Sequence, residues 1–173
     1  MKKDLLGIND LTKEDIRAII ARAMAFKKDK GDTCCRPLVG KTIGLIFEKA
    51  STRTRVSFEA AMYQLGGNVT FLSTRDTQLA RQEPLADTAR VLSRYLDGLV
   101  IRTFAQETVE ELAAHATIPV INGLTDLYHP CQILSDVMTV IKKKGAIEDL
   151  KVAWVGDGNN VAHSWIEAAA TLG

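Results

Sequence analysis

Residues Lys41–Ser73 read KTIGLIFEKASTRTRVSFEAAMYQLGGNVTFLS, and the change of pattern inside that stretch decides the fold. KTIGLIF (41–47) is a short continuous apolar run, as expected of a strand buried on both faces. From about Arg53 to Leu65 the spacing becomes helical, with Phe58, Ala61, Met62 and Leu65 on one face. NVTFLS (68–73) is a second apolar run. Strand, helix and strand in that order make a βαβ unit, whose strands pair in parallel. Where the first strand meets the helix, Ser51, Thr52, Arg53, Thr54 and Arg55 crowd together. Free backbone N–H groups and the helix dipole favour an anion at such a start, and two guanidiniums add bidentate charge.

The unit repeats along the chain. LTKEDIRAIIARAMAFKK (11–28) precedes it as a helix, with Thr12 and Asp15 spaced like a capping box and Ile16, Ile19, Ile20, Ala23 and Met24 at helical intervals. After the second strand come a polar loop, TRDTQLARQE (74–83), and a helix, LADTARVLSRYL (85–96), with Pro84 suited to its first position. GLVIRTF (98–104), PVINGL (119–124) and KVAWVGD (151–157) read as third, fourth and fifth strands. TVEELAAHA (108–116), PCQILSDVMTVIKKKG (130–145) and VAHSWIEAAATLG (161–173) read as helices, with Pro130 opening and Gly145 closing the second of these. The expected class is α/β, a parallel β-sheet flanked by helices. KKGAIEDLK (143–151) is the best candidate for a break; the strand and helix after it either add to the first sheet or begin a second domain, which would divide the chain into 1–145 and 146–173.

Composition narrows the function. Lys and Arg total 22 against 21 Asp and Glu, which removes the basic excess of a nucleic-acid binder. No window approaches the roughly 18 continuous apolar residues of a membrane span. The N-terminus lacks the apolar stretch of a secretory signal, and the expected compartment is the cytoplasm. The three cysteines (Cys34, Cys35, Cys131) and three histidines (His115, His129, His163) show no metal-binding spacing, so no structural zinc site is expected.

In an open parallel sheet, ligands bind beyond the C-terminal strand ends. Polar residues follow every run: Ser51–Arg55, then Arg75, Gln78 and Arg81, then Arg102 and Thr103, then His129 and Gln132, and finally Asp157, Asn159 and Asn160. Plainer readings stand beside these. Ser51 and Thr52 also read as helix caps, and Arg55 as a partner for Glu59 one turn on. Arg102 inside an apolar run needs a partner, because an unpaired buried charge is costly. His129 precedes a proline and is therefore extended; it reads either as a satisfied half-buried histidine or as a donor to a polarised carbonyl. Cys131 reads as a small apolar residue, having no evident base beside it. VGDGNNV (155–161) starts like a dinucleotide fingerprint but has Val161 at the third glycine position.

Taken together, FEKASTRTRVSFE (47–59), DTQLARQEPLADTARVLSR (76–94), IRT (101–103), DLYHPCQILSD (126–136) and VGDGNN (155–160) resemble the aspartate and ornithine carbamoyltransferases across essentially the whole chain. Lys49, the lysine-free loop TQLARQEP and DLYHPCQ place the resemblance nearer the anabolic ornithine branch than the aspartate branch. It implies transfer of the carbamoyl group of carbamoyl phosphate to the δ-amine of L-ornithine, giving citrulline and phosphate in arginine biosynthesis. Ser51, Thr52, Arg53 and Thr54 would hold the phosphate. Arg102 would bridge phosphate and carbonyl oxygen, with His129 and Thr54 also on that oxygen. Gln132 would take the carbamoyl amide, Asn160 the ornithine α-carboxylate, and Gln78 would reach a neighbouring subunit's site in a homotrimer. Arg102, His129 and Thr54 would be the catalytic residues, and the resemblance implies no metal and no cofactor.

The sequence departs from that pattern at Ala50, where proline is frequent, and in LARQEP, where the family has a more glycine-rich LGRGEP. The larger departure is length. Family members continue into an ornithine-binding domain with an Asp…Ser-Met-Gly and a His-Cys-Leu-Pro motif, and neither occurs in these 173 residues. The expectation is therefore a chain that binds carbamoyl phosphate weakly and turns over poorly on its own. The alternatives are a non-catalytic carbamoyl-phosphate-binding or oligomerisation module, or an aspartate carbamoyltransferase.

Overall fold

The computed structural model describes residues 3–28, 36–73 and 83–173. Four strands form one parallel sheet in the order β2-β1-β3-β4: β1 (Thr42–Phe47), β2 (Asn68–Ser73), β3 (Gly98–Arg102) and β4 (Val120–Leu124). Helical crossovers join them: α2 (Thr52–Leu65), α3 (Leu85–Leu92) and α4 (Gln106–His115). Helix α1 (Lys13–Lys28) precedes the sheet; α5 (Pro130–Lys144) and α6 (Asn160–Leu172) follow it. This is the expected α/β architecture.

The continuous apolar runs are explained by cover on both faces. On one face Ile46, Leu99, Ile101 and Val120 pack against Ala89 of α3 and Val109, Leu112 and Ala113 of α4. On the other, Leu45, Phe47 and Val100 meet Phe58 of α2, together with Phe71 and Ile121. A third cluster joins Ile16 and Ile20 of α1, Ile133 and Val137 of α5, and Ala168 and Leu172 of α6 around Ile8. At Gly44 of β1 a Cβ would lie 2.7 Å from Leu96 Cδ1 and 2.9 Å from Leu99 Cδ2, so a larger residue there would make both leucine side chains shift. Leu5 pairs with Ile121 as an isolated parallel bridge on the free edge of β4; its N–H donates to Val120 O at 2.9 Å, and its carbonyl accepts from Asn122 N at 2.8 Å.

The helix signals hold locally. Thr12 and Asp15 form the reciprocal cap, with Thr12 N–H donating to Asp15 Oδ2 at 3.0 Å and Asp15 N–H to Thr12 Oγ1 at 3.1 Å. Gly145 closes α5 at φ 90°, in the left-handed region that glycine enters freely. Five expectations need correction. KVAWVGD (151–157) forms no strand, and its residues are exposed: a parallel strand needs a neighbour, and none of the described strands lies beside it. Ala61 is exposed, because α2 touches the sheet chiefly through Phe58 and Met62. Ile19 is likewise 39% exposed on α1. Helix α3 ends at Leu92 rather than continuing to Leu96; Ser93 Oγ donates back to Ala89 O at 2.7 Å, and Pro84 stands at the N-cap rather than inside the helix.

Candidate functional site

The C-terminal ends of β1 and β3 are side by side, with Phe47 opposite Arg102. Glu48 N–H donates to Arg102 O at 2.9 Å, so the ladder continues one residue before the chain turns into α2. Thr103 Oγ1 hydrogen-bonds the Glu48 carboxylate and fixes that exit. Ser51 is the N-cap of α2: its Oγ accepts from Thr54 N–H at 3.4 Å and donates to Thr54 Oγ1 at 2.9 Å. Thr52 and Arg53 are exposed in the first turn. Arg55 is committed elsewhere, paired with Glu59 at 2.8 Å and stacked 3.7 Å above the Phe71 ring. The plainer reading of Arg55 holds in its pairing with Glu59, and both Arg53 and Arg55 are exposed on α2.

Arg102 ends β3 at an irregularity. Ile101 pairs with Asn122, yet Arg102 pairs with Leu124, so Gly123 is the extra residue of a β-bulge. A bulge bends its strand and re-aims the neighbouring side chains. A Cβ on Gly123 would lie 3.2 Å from Ile101 O, so the bulge has little room for anything larger. Arg102 Nε is buried without a hydrogen-bond partner, and burial lowers the guanidinium's pKa.

His129 sits on the loop after β4 at the N-cap of α5, with φ −139° and ψ 66°, non-helical as its place before Pro130 requires. Burial, then the nearby Arg102 charge, pull its imidazole down to about 4, against an opposing pull from Asp136. It is therefore neutral at pH 7, and its buried Nδ1 has no partner among the described residues. Its backbone N–H donates to Ser164 Oγ at 2.9 Å. The structure brings Arg102 and His129 together, and pairs Ser51 with Thr54.

The remaining candidates divide. Gln132 is exposed and donates to Asp136 Oδ1 at 2.8 Å. Asn160 opens α6 and donates through Nδ2 to Thr125 O at 2.6 Å, while Asn159 caps that helix by accepting from Val161 and Ala162 N–H. Gln78, with Arg75, Arg81, Cys34 and Cys35, lies outside the described residues. Burial pushes the Cys131 thiol up to about 12, and its Sγ–H donates to Asn122 O at 3.4 Å. Lys49 pairs with Asp126 and lies 4.3 Å above the Phe104 ring, beside a cleft lined by Phe104, Ala105, Gln106, Glu107, Asp126 and Leu127. No cluster of metal ligands occurs among the described residues.

A buried polar network went unread in the sequence. Thr125 Oγ1 donates to Gln106 Oε1 at 2.8 Å and accepts from Tyr128 N–H at 3.0 Å; Asn122 Nδ2 donates to Leu6 O at 2.8 Å. Asn122 inside the apolar run VINGL was the signal for it. Ser164, fully buried on α6, carried none. Chemically, the rim offers fixed positive charge and uncharged donors in a partly dry setting, which suits a small anion attached to a polar carbonyl.

Both the sequence and the fold match known proteins. Residues 3–142 match the family described as aspartate/ornithine carbamoyltransferase, carbamoyl-P binding domain. The chain is 64% identical over its full length to an ornithine carbamoyltransferase of Desulfotalea psychrophila, covering 57% of that protein. It is 62% identical to that of Syntrophus aciditrophicus, over 99% of this chain and 57% of the relative. The solved ornithine carbamoyltransferase of Pyrococcus furiosus superposes with a TM-score of 0.94 at 53% identity, covering 99% of this chain and 55% of that one. The chain thus spans little more than half the length of the relatives it matches. A parallel sheet with this rim, matched over that span, belongs to the aspartate/ornithine carbamoyltransferase family and forms its carbamoyl-phosphate-binding domain.

Proposed function

We propose that this domain binds carbamoyl phosphate and serves the transfer of its carbamoyl group to the δ-amine of L-ornithine, giving L-citrulline and phosphate in cytoplasmic arginine biosynthesis. The observation that carries the reading is the half-buried Arg102, its Nε buried and unpartnered, near a neutral His129. A buried guanidinium nitrogen left without a hydrogen-bond partner is costly, which favours a ligand that completes it. In this reading Ser51, Thr52, Arg53 and Thr54 hold the phosphate at the α2 start, where orphan N–H groups favour an anion. Arg102 spans the phosphate and the carbonyl oxygen, His129 and Thr54 bond that oxygen, and Gln132 turns from Asp136 to the carbamoyl amide. Asn160 takes the ornithine α-carboxylate with the hydrogen that Thr125 leaves unused.

The uncharged δ-amine attacks the carbamoyl carbon, and negative charge grows on the carbonyl oxygen. The carbon–oxygen bond to phosphate then breaks, the phosphate takes the bonding pair, and the amine's proton leaves with it. Fixed donors at Arg102 and His129 stabilise that charge, an effect on the order of 10²–10³ in rate per donor. Holding the two reactants together supplies much of the rest. No covalent enzyme intermediate takes part.

The resemblance also supports a homotrimer in which Gln78 completes a neighbour's site. The apolar surface that α2 leaves uncovered, with Val56 54% and Tyr63 78% exposed, offers area for such an assembly. We place the domain boundary at residue 145, with 146–173 opening the ornithine-binding domain. Calorimetric titration of the 173-residue chain with carbamoyl phosphate tests the reading. The expected result is saturable binding that Arg102→Ala abolishes, with little citrulline formed when ornithine is added. Absence of binding, or binding unchanged by Arg102→Ala, overturns it.

A further inference from the structure

The loop that carries His129, residues 125–129, is held from two sides. Beneath it lies the Thr125–Gln106–Asn122 network already described. Above it lies the first half of α6. Asn160 Nδ2 donates to Thr125 O at 2.6 Å, His163 Nδ1 donates to Leu127 O at 3.1 Å, and Ser164 Oγ accepts from His129 N–H at 2.9 Å. Successive turns of one helix therefore grip the start, middle and end of a single loop. The last grip matters most. His129 precedes Pro130, so its N–H is the final backbone donor before α5, and the fully buried Ser164 hydroxyl is what satisfies it.

We propose that Ser164 is a positioning residue: by accepting the His129 N–H it fixes the imidazole against Arg102, and α6 thereby links the acceptor side of the site, at Asn160, to the carbamoyl side. The link rests on the reading that His129 bonds the carbamoyl oxygen. Ser164→Ala leaves that N–H buried and unpaired, which loosens the loop and lets water reach the ring.

The test is NMR of the His129 ring in the full 173-residue chain, with Arg102 from β3 and Asp136 from α5 as the charged groups facing it. In the parent chain the ring is expected to titrate with a midpoint of about 4, held low by burial and then by the Arg102 charge. Ser164→Ala is expected to move that midpoint towards the ordinary value of 6.5 and to weaken carbamoyl phosphate about tenfold, the scale of one lost hydrogen bond. Ala168→Gly, a cavity on the same helix away from the loop, should lower the melting temperature and leave the midpoint in place. An unmoved midpoint in Ser164→Ala, or an equal movement in Ala168→Gly, overturns the proposal. If Ser164→Ala does not fold, Asn160→Ala, which cuts the grip on Thr125 O, takes its place: a raised midpoint supports the proposal and an unmoved one overturns it. A parent chain that fails to bind carbamoyl phosphate while the midpoint still moves upholds the positioning role and overturns the functional reading instead.

Discussion

Arg102 and His129 come from different strand ends, yet the guanidinium helps to keep the imidazole uncharged, behind only burial itself as a cause. A lowered histidine pKa is also a statement about stability. The unfolded chain binds that proton from about 6.5 downward, whereas the folded chain resists it until about 4. Stability from this group is therefore complete above pH 6.5 and is lost as pH falls through 6.5 towards 4. Asp15, Asp97 and Glu148 are held low chiefly by hydrogen bonds from Lys3, Lys41 and Arg17, so their losses come below the ordinary carboxylate range. Thermal melts between pH 7.5 and 4 should show a falling midpoint that His129→Gln flattens; parallel curves for the two proteins would refute this.

Arg102→Met should separate stability from binding. It removes a guanidinium whose Nε is buried without a partner and keeps much of the side-chain volume. Stabilisation of about 1 kcal/mol is expected, or about 2–4 °C in melting temperature for a domain of this size. Carbamoyl phosphate affinity should fall at least a hundredfold. Differential scanning calorimetry and titration calorimetry on the same two samples decide it, and a melting temperature that drops would contradict the idea that this cation lacks a partner.

Ser51→Asp distinguishes a helix cap from a ligand residue. Aspartate caps as well as serine does and suits the positive end of α2, so stability should change by less than about 0.5 kcal/mol. The same carboxylate placed against an incoming phosphate should abolish binding. Ser51→Ala is the complement, losing about 1 kcal/mol of cap energy. If Ser51→Asp binds carbamoyl phosphate like the parent, Ser51 is a cap and nothing more.

Cys131 should resist iodoacetamide at pH 8 in the native protein, since the thiolate is the reactive form and burial holds this thiol at about 12. Peptide mapping by mass spectrometry before and after unfolding in urea shows it. Native-state labelling at Cys131 would mean that the start of α5 opens far more readily than its packing indicates.

Four of the five apolar runs were legible as strands, because burial on both faces leaves an uninterrupted signature. VAWV carries the same signature and fails, since local sequence specifies a preference and only a neighbouring strand completes the hydrogen bonds. The strand-end rule found Arg102, His129 and Ser51 for a comparable reason: topology alone carries them to one rim. It could not show that Arg55 would turn to Glu59 and Phe71, a contest between near-equal partners. Nor could it show the bulge. The glycine inside PVINGL hinted at a break in pairing, but the shift at Arg102 depends on β3 and β4 together. Ser164 was invisible, a small polar residue on an amphipathic helix whose importance lies in what packs above it.

The bridge from Leu5 to Ile121 gives this chain an unusual assembly history. Leu5 and its neighbour Asp4, whose carboxylate accepts from Val120 N–H at 2.8 Å, cover the outer border of β4. That border does not exist until residues 120–122 have left the ribosome, so Asp4 must wait for a partner made 116 residues later before it can dock. Until then both flanks of the growing sheet offer unpaired backbone to other chains. A bulky fusion placed directly before Asp4 would prolong that interval, whereas a tag after Gly173 would leave it unchanged.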